Sequence, residues 1–160
     1  MIALRIATAT DVPQILRFIR ALGDYEKLSA EVVATEATLQ ATLFGPHRYA
    51  EVVIADWKAQ PAGFALFFHN YSTFLAKPGI YLEDLFVDPA YRQHGIGKAL
   101  LQHLARLAVE RDCGRLEWSA LAWNRLAIDF YLALGAVAMS EWNIYRLSGQ
   151  ALQRLGAATR

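Results

Sequence analysis

What this sequence lacks narrows its function before any motif is read. Its 160 residues hold one cysteine, Cys113. No intramolecular disulfide can form, which predicts a reducing, cytoplasmic setting. Although 55% of the residues are hydrophobic, no apolar run approaches the ~20 needed to cross a bilayer, so no membrane span is expected. Met1-Ile2-Ala3-Leu4-Arg5 meets a charge too early for a secretory signal. Charge of either sign is thin: 16 Lys and Arg against 15 Asp and Glu, with the basic residues scattered. Nucleic acid as the main partner needs a clustered cationic face and is not expected. His47, His69, His94 and His103 lack metal-ligand spacing and have no second cysteine to join them, so no metal is expected. Cys113 has no activating base near it in sequence and reads as a small packed residue. Without repeats or linkers, the length suits one domain, 1–160, able to bury a real core.

A short strand is predicted at residues 4–7. Thr10 then caps a helix carrying Val12, Ile15, Leu16, Ile19 and Leu22, with Asp11 and Pro13 in its first turn and Gly23 ending it. Thr35 caps a second helix through Leu43, stopped by Gly45-Pro46. Strands are predicted at 49–54, 62–69 and 80–87, with Gln60-Pro61 in the first turn between them. Residues 70–79 form a long connection of the kind that borders a site. After a helix in the middle of the chain, Cys113-Gly114 leads into a strand at 115–120. Trp123-Asn124 opens a helix at 126–134 that Gly135 closes. Residues 142–148 form a last strand and 150–155 a helical turn. The order predicts an α/β chain with a central mixed β-sheet (α+β in its antiparallel half) flanked by helices on both faces.

The chain is organised around residues 81–101. An apolar strand, interrupted only by Glu83 and Asp84, stops at Asp88-Pro89. A short loop enters Gly95-Ile96-Gly97, after which Ile96, Leu100, Leu104, Leu107 and Ala108 recur at helical spacing. Strand, glycine turn and helix together aim free N–H groups and a helix dipole at one concavity, which suits a phosphorylated ligand. A nucleotide P-loop fails, because Ala99 follows Gly97-Lys98 where Ser or Thr is required. A dinucleotide turn finds two of its three glycines, with Leu100 in place of the third, while Glu117 falls near the ribose-binding distance. A helix start with glycines chosen for packing is the plain alternative.

Arg92-Gln93-His94-Gly95-Ile96-Gly97 is an R/Q-x-x-G-x-G/A pattern. It resembles the pyrophosphate-binding turn of the GNAT acyl-CoA-dependent N-acetyltransferases. The resemblance extends to Asp24-Tyr25-Glu26, residues 81–87, Trp123-Asn124, and Phe130-Tyr131 followed by Gly135-Ala136, and is nearest to the diamine (spermidine/spermine) branch. It implies the GNAT fold, acetyl-CoA as cofactor, and direct transfer to an amine in a ternary complex. It places the cofactor along Leu85, Phe86 and Val87 and over Arg92, Gln93, His94, Gly95, Ile96, Gly97 and Lys98, with contacts from Asn124, Ala127 and Tyr131. Tyr131 then acts as general acid to the thiolate. Glu83 matches a carboxylate that binds the acceptor and takes its proton through water; whether it is base or binder stays open. Asp84 should point to the opposite sheet face, since strand side chains alternate.

Tyr25 and Glu26 match a loop that closes on the acceptor. Glu117, Trp118 and Ser119 match a strand bordering the acceptor channel, with Trp118 equally suited to a core. By the same placement His94 sits near a phosphate, His69 borders the acceptor and His103 lies on an exposed helix face. Ala122 and Ser140-Glu141-Trp142-Asn143 carry fewer acids than the diamine enzymes do. That leaves a short amine or an aminoalkyl amino acid as plausible as a long polyamine. A homodimer built partly from the C-terminal strand is implied as well. A protein-lysine or N-terminal acetyltransferase, and a non-catalytic acyl-CoA-binding module, are the rival functions.

Overall fold

The computed structural model describes residues 1–158, in two compact units, Met1–Leu121 and Ala122–Arg160. In the first, β1 (Ile2–Ile6), β2 (Glu51–Trp57), β3 (Gln60–Ser72), β4 (Lys77–Val87) and β5 (Leu116–Trp118) form one sheet in that order. The first four strands pair antiparallel and β4 pairs parallel with β5. The parallel step needs a crossover, which α3 (Ile96–Glu110) supplies. Helices α1 (Val12–Tyr25) and α2 (Glu36–Leu43) fall between β1 and β2. The mixed sheet with flanking helices is as the sequence predicts.

Strand alternation sorts the core into two layers. Val52, Ile54, Phe64 and Phe86 pack with Val12, Ile15, Leu16 and Phe18 of α1 and with Leu39 and Leu43 of α2. The alternate residues Val53, Ala55, Ala65 and Phe67 are buried on the other face, where α3 lies over β2, β3 and β4 and brings Ile96, Leu100 and Leu104. Burying each of those α3 side chains contributes about 2–3 kcal/mol, so the helix start at Gly95 is held by its own core anchor.

Several boundaries differ from the sequence reading, each for a packing reason. α1 runs through Gly23 to Tyr25. Gly23 serves close approach rather than termination, since a Cβ there would stand 2.7 Å from Val32 Cγ2. Gln60-Pro61 belongs to β3, not to a turn. Lys58 and Ala59 form the turn with φ of 49° and 64°, a two-residue connection suited to the twist of a hairpin. β3 and β4 extend to the pair Ser72↔Lys77, so the long connection at 70–79 shrinks to residues 73–76. Thr35 caps α2 as predicted, its Oγ1 accepting from Thr38 N at 3.2 Å. Arg5 ties the first helical turn to the sheet: its guanidinium grips Asp11 at 2.9 and 3.0 Å and Asp56 at 2.8 Å. That hydrogen bonding holds the Asp11 carboxyl below its usual range.

The second unit carries α4 (Arg125–Ala133) and α5 (Gly149–Ala157). Gly135, with φ of 95°, takes the chain out of α4, as predicted. The strand predicted at 142–148 is absent. No strand among the described residues pairs with it, and Trp142, Ile144 and Tyr145 are 77%, 76% and 91% exposed. β-structure exists only through its ladder, which apolar content alone does not provide.

Candidate active site

The ladder between β4 and β5 consists of Ile80↔Leu116, Tyr81↔Glu117 and Leu82↔Trp118 and stops there. β4 continues through residues 83–87 paired with β3 alone. One edge of this segment therefore faces no strand, and Leu85, Phe86 and Val87 lie on it. The Phe86 side chain is committed to the core, with its ring 5.9 Å from that of Phe18. It can offer a ligand only its main chain.

At the end of β4 the chain enters the glycine turn. Gln93 and Gly95 have φ of 67° and 77°, which strains a side-chain-bearing residue and suits glycine. Ala99 N returns to Gly95 O at 2.9 Å, whereas the amides of residues 93–98 find no acceptor among the described residues. A Cβ on Gly95 would meet nothing within 4 Å, and one on Gly97 would reach only Val87 Cγ2, at 3.8 Å. Glycine is therefore not required here by packing, which removes the plain alternative. What the two glycines leave is a row of unpaired donors at the positive end of a 15-residue helix, with open space at Gly95 and only Val87 Cγ2 near Gly97. The residues present fit a pyrophosphate.

The side chains around this turn are tied to the first unit. Arg92 donates Nε to Val87 O at 3.1 Å and lays its guanidinium over the Tyr25 ring, 5.1 Å from the centroid. Tyr25 and the turn are thus linked by a cation–π contact. His94 lies flat on Trp57, rings 4.3 Å apart and 6° from parallel. Trp57 escaped the sequence reading: it sits at the far end of β2, and only the β2–β3 hairpin brings it to the turn. Lys98 is exposed beside the same amides, and Ile96 is buried.

On the α1 side of the sheet the carboxylates gather. Leu66 pairs with Asp84 and Phe67 with Leu82, so Glu83 is the extra residue of a β-bulge. The bulge breaks the strand's alternation, so Leu82 and Asp84, two residues apart, fall on opposite faces. Asp84 shares a face with Phe86, two residues on; Tyr81, odd in number, shares it too, because its partner Phe68 follows Leu66 by two. Burial, then the charges of Glu83 and Glu26, pushes the Asp84 carboxyl up to about 6. Burial also raises Glu26, at the C-terminal end of α1. Glu83 itself is exposed. Three carboxylates therefore converge from two elements, and Asp84, which alternation set on the face opposite Glu83, is the most perturbed.

The same face continues onto β5. Tyr81 Oη and Ser119 Oγ are 2.7 Å apart, and Glu117 stands opposite Tyr81. Asn70 Nδ2 donates to Glu117 Oε1 at 3.1 Å. Trp118 pairs with Leu82 and falls on the α3 face, so the structure separates it from Glu117 and Ser119. His69 also belongs to that opposite face, 3.2 Å from Arg111 Nη1. No His, Cys, Asp or Glu cluster among the described residues could hold a metal ion.

In the second unit Asn124 caps α4, its Oδ1 accepting from Ala127 N at 3.4 Å. Tyr131 lies on the same helix, its ring 5.7 Å from that of Phe130. Its carbonyl accepts from Ala136 N at 3.1 Å, fixing the turn at Gly135.

The Acetyltransferase (GNAT) family profile matches residues 17–136. A thialysine N-epsilon-acetyltransferase of Bos taurus is 36% identical, covering 96% of both chains. The L-ornithine N5-acetyltransferase NATA1 of Arabidopsis thaliana is 34% identical over 95% of this chain and 86% of its own. An integron cassette protein from the mobile metagenome of V. cholerae superposes with a TM-score of 0.83 at 27% identity, covering 98% of each chain.

Proposed function

Because the chain belongs to the GNAT family, and is by that membership an N-acetyltransferase, we propose that it moves an acetyl group from acetyl-CoA to a primary amine of a small cationic acceptor. The acceptor class is a diamine or an amino acid with an aminoalkyl side chain, and transfer is direct, in a ternary complex. One observation carries the reading: the open edge of β4 has a turn of unpaired amides at its end and, beside it, Asp84 within the field of Glu83 and Glu26.

Acetyl-CoA, when bound, supplies the thioester. The amides of residues 93–98 would hold its pyrophosphate, with Arg92 and Lys98 adding charge. The main chain of Leu85–Val87 would receive the pantetheine arm; the family resemblance gives Asn124, Ala127 and Tyr131 cofactor contacts as well. A main-chain N–H fixed in a sheet and aimed at the thioester oxygen stabilises a developing oxyanion by about 3–4 kcal/mol. Acceptor ammonium meets Glu83, Glu26, Tyr25, Glu117 and Ser119; Trp118, on the other face, borders the cofactor side. The amine has an ordinary pKa near ~10.4 and must lose a proton before attack. Of the paired carboxylates, exposed Glu83 suits cation binding, and Asp84, already raised to about 6, is the stronger base. Tyr131 returns a proton to the departing thiolate.

The family match runs past Leu121 to residue 136, which supports reading 1–160 as one domain. A homodimer belongs to the same proposal, supported by the exposed apolar row Trp142, Ile144 and Tyr145. The free thiol of Cys113 fits a cytoplasmic, reducing setting.

The experiment is CoA release from acetyl-CoA across a panel of diamines, aminoalkyl amino acids and lysine peptides. Release with the free amines is expected; release with peptides alone, or cofactor binding without release, contradicts the proposal. In the same assay Tyr131→Phe should lower kcat about a hundredfold or more with little change in cofactor affinity. Unchanged turnover would remove Tyr131 from the chemistry.

A further inference from the structure

Next to the carboxylates, Glu117 of the proposed acceptor set is ion-paired to Arg115, a residue to which the acceptor reading gives no role. Arg115 Nε stands 2.7 Å from Glu117 Oε1, and the two side chains are 42% and 35% exposed. Both polar contacts of Glu117, from Arg115 and from Asn70 Nδ2 at 3.1 Å, fall on Oε1. Its Oε2 therefore accepts no hydrogen bond among the described residues, and Arg115 meets no other carboxylate there. Asn70 is held for this contact at a cost: its Oδ1 is buried with no partner. The amide fits only because residue 79 is glycine, where a Cβ would stand 2.3 Å from that oxygen.

We infer that Arg115 and Glu117, steadied by Asn70, form a subsite for the α-carboxylate and α-ammonium of an amino acid whose side-chain amine is acetylated. This rests on the acetyltransferase proposal above. A zwitterionic head needs an anion and a cation side by side, and the guanidinium fork matches a carboxylate in shape as well as charge. Glu117 is opposite Tyr81, and the bulge leaves Asp84 two pleat steps further along the same face. One strand spacing across and two steps along separate the two ends by about 8 Å, a span an aminoalkyl chain can bridge. Beside this path lies the Tyr81 ring, backed on β3 by that of Phe68 at 5.3 Å, an apolar surface for methylenes. A diamine of the same length would place its second ammonium beside Arg115, so the cation that welcomes a carboxylate also disfavours a polyamine.

The test compares L-ornithine with 1,4-diaminobutane, which differ by the carboxylate alone, in the wild type and in Arg115→Gln and Arg115→Lys. In Arg115→Gln the ratio of kcat/KM for the amino acid over the diamine should fall about tenfold to a hundredfold, the loss appearing in KM for ornithine. Arg115→Lys should restore part of it. Arg115 is exposed, and circular dichroism checks that the variants fold. An unchanged ratio, or equal losses on both amines, overturns the subsite while leaving the acetyltransferase proposal standing. If the wild type binds acetyl-CoA but acetylates neither amine nor any other in the panel, the acceptor proposal itself fails and takes the subsite with it.

Discussion

Replacing Gly97 by leucine should leave the protein folded and weaken acetyl-CoA binding about a hundredfold or more. The two halves of that expectation have separate causes. Position 97 lies in the first turn of α3 with no positive φ, and its Cβ would find ordinary contact with Val87 Cγ2 at 3.8 Å. Leucine is a better helix former than glycine by nearly ~1 kcal/mol, so thermal stability should hold or rise. The rest of the leucine side chain has to occupy the space in front of the unpaired amides. Hydrogen bonds from amides to a charged phosphate contribute about 1.5–3 kcal/mol each, and losing two exceeds a hundredfold in Kd. Calorimetric titration with acetyl-CoA beside a melting curve measures both. Tight binding by a folded Gly97→Leu protein would show that the cofactor lies elsewhere.

Asp84→Asn is expected to trade activity for stability, with both effects governed by pH. In the unfolded chain this carboxyl ionises near its ordinary 3.8, but in the fold only near about 6. Its contribution to stability is therefore full below pH 3.8, falls as pH rises toward 6, and stays low above. The amide removes that penalty, so the variant should be more stable than the wild type at pH 8 by up to about 3 kcal/mol and no more stable at pH 3.5. Acetylation at pH 7.5 should drop about a hundredfold. Below pH 6 the wild type loses its base by protonation, so its advantage over the variant should shrink about tenfold per pH unit. Denaturant melts and a kcat/KM profile for both proteins test this. A constant activity ratio from pH 5 to 8 would assign the proton transfer to another group, and Glu83 is then the first to examine.

The parts of this site that were legible in the sequence are those whose requirements are local. Gly95 is demanded by its own φ and Thr35 by a cap three residues from its donor. The face of α3 is written in the spacing of Ile96, Leu100 and Leu104. What could not be read depends on two-against-one register or on distant partners. No pattern in Tyr81-Leu82-Glu83-Asp84 signals the bulge, because a bulge is defined by what β3 does opposite it, and alternation then misplaced Asp84. Trp57 reaches His94 only through a hairpin turn made by Lys58 and Ala59, neither a habitual positive-φ residue. Gly23 looked like a helix stop because the Val32 methyl that it admits lies outside its helix. Residues 142–148 have the composition of a strand, but composition does not supply a neighbour.

The central claim is that the unpaired amides of residues 93–98 hold the cofactor's pyrophosphate. Amide-resolved NMR during titration with acetyl-CoA tests it most directly. The account predicts that the N–H resonances of Gly95, Ile96 and Gly97 move downfield and their hydrogen exchange slows, with CoA giving the same response and dephosphorylated pantetheine none. Saturating acetyl-CoA that leaves those three amides unmoved would contradict it.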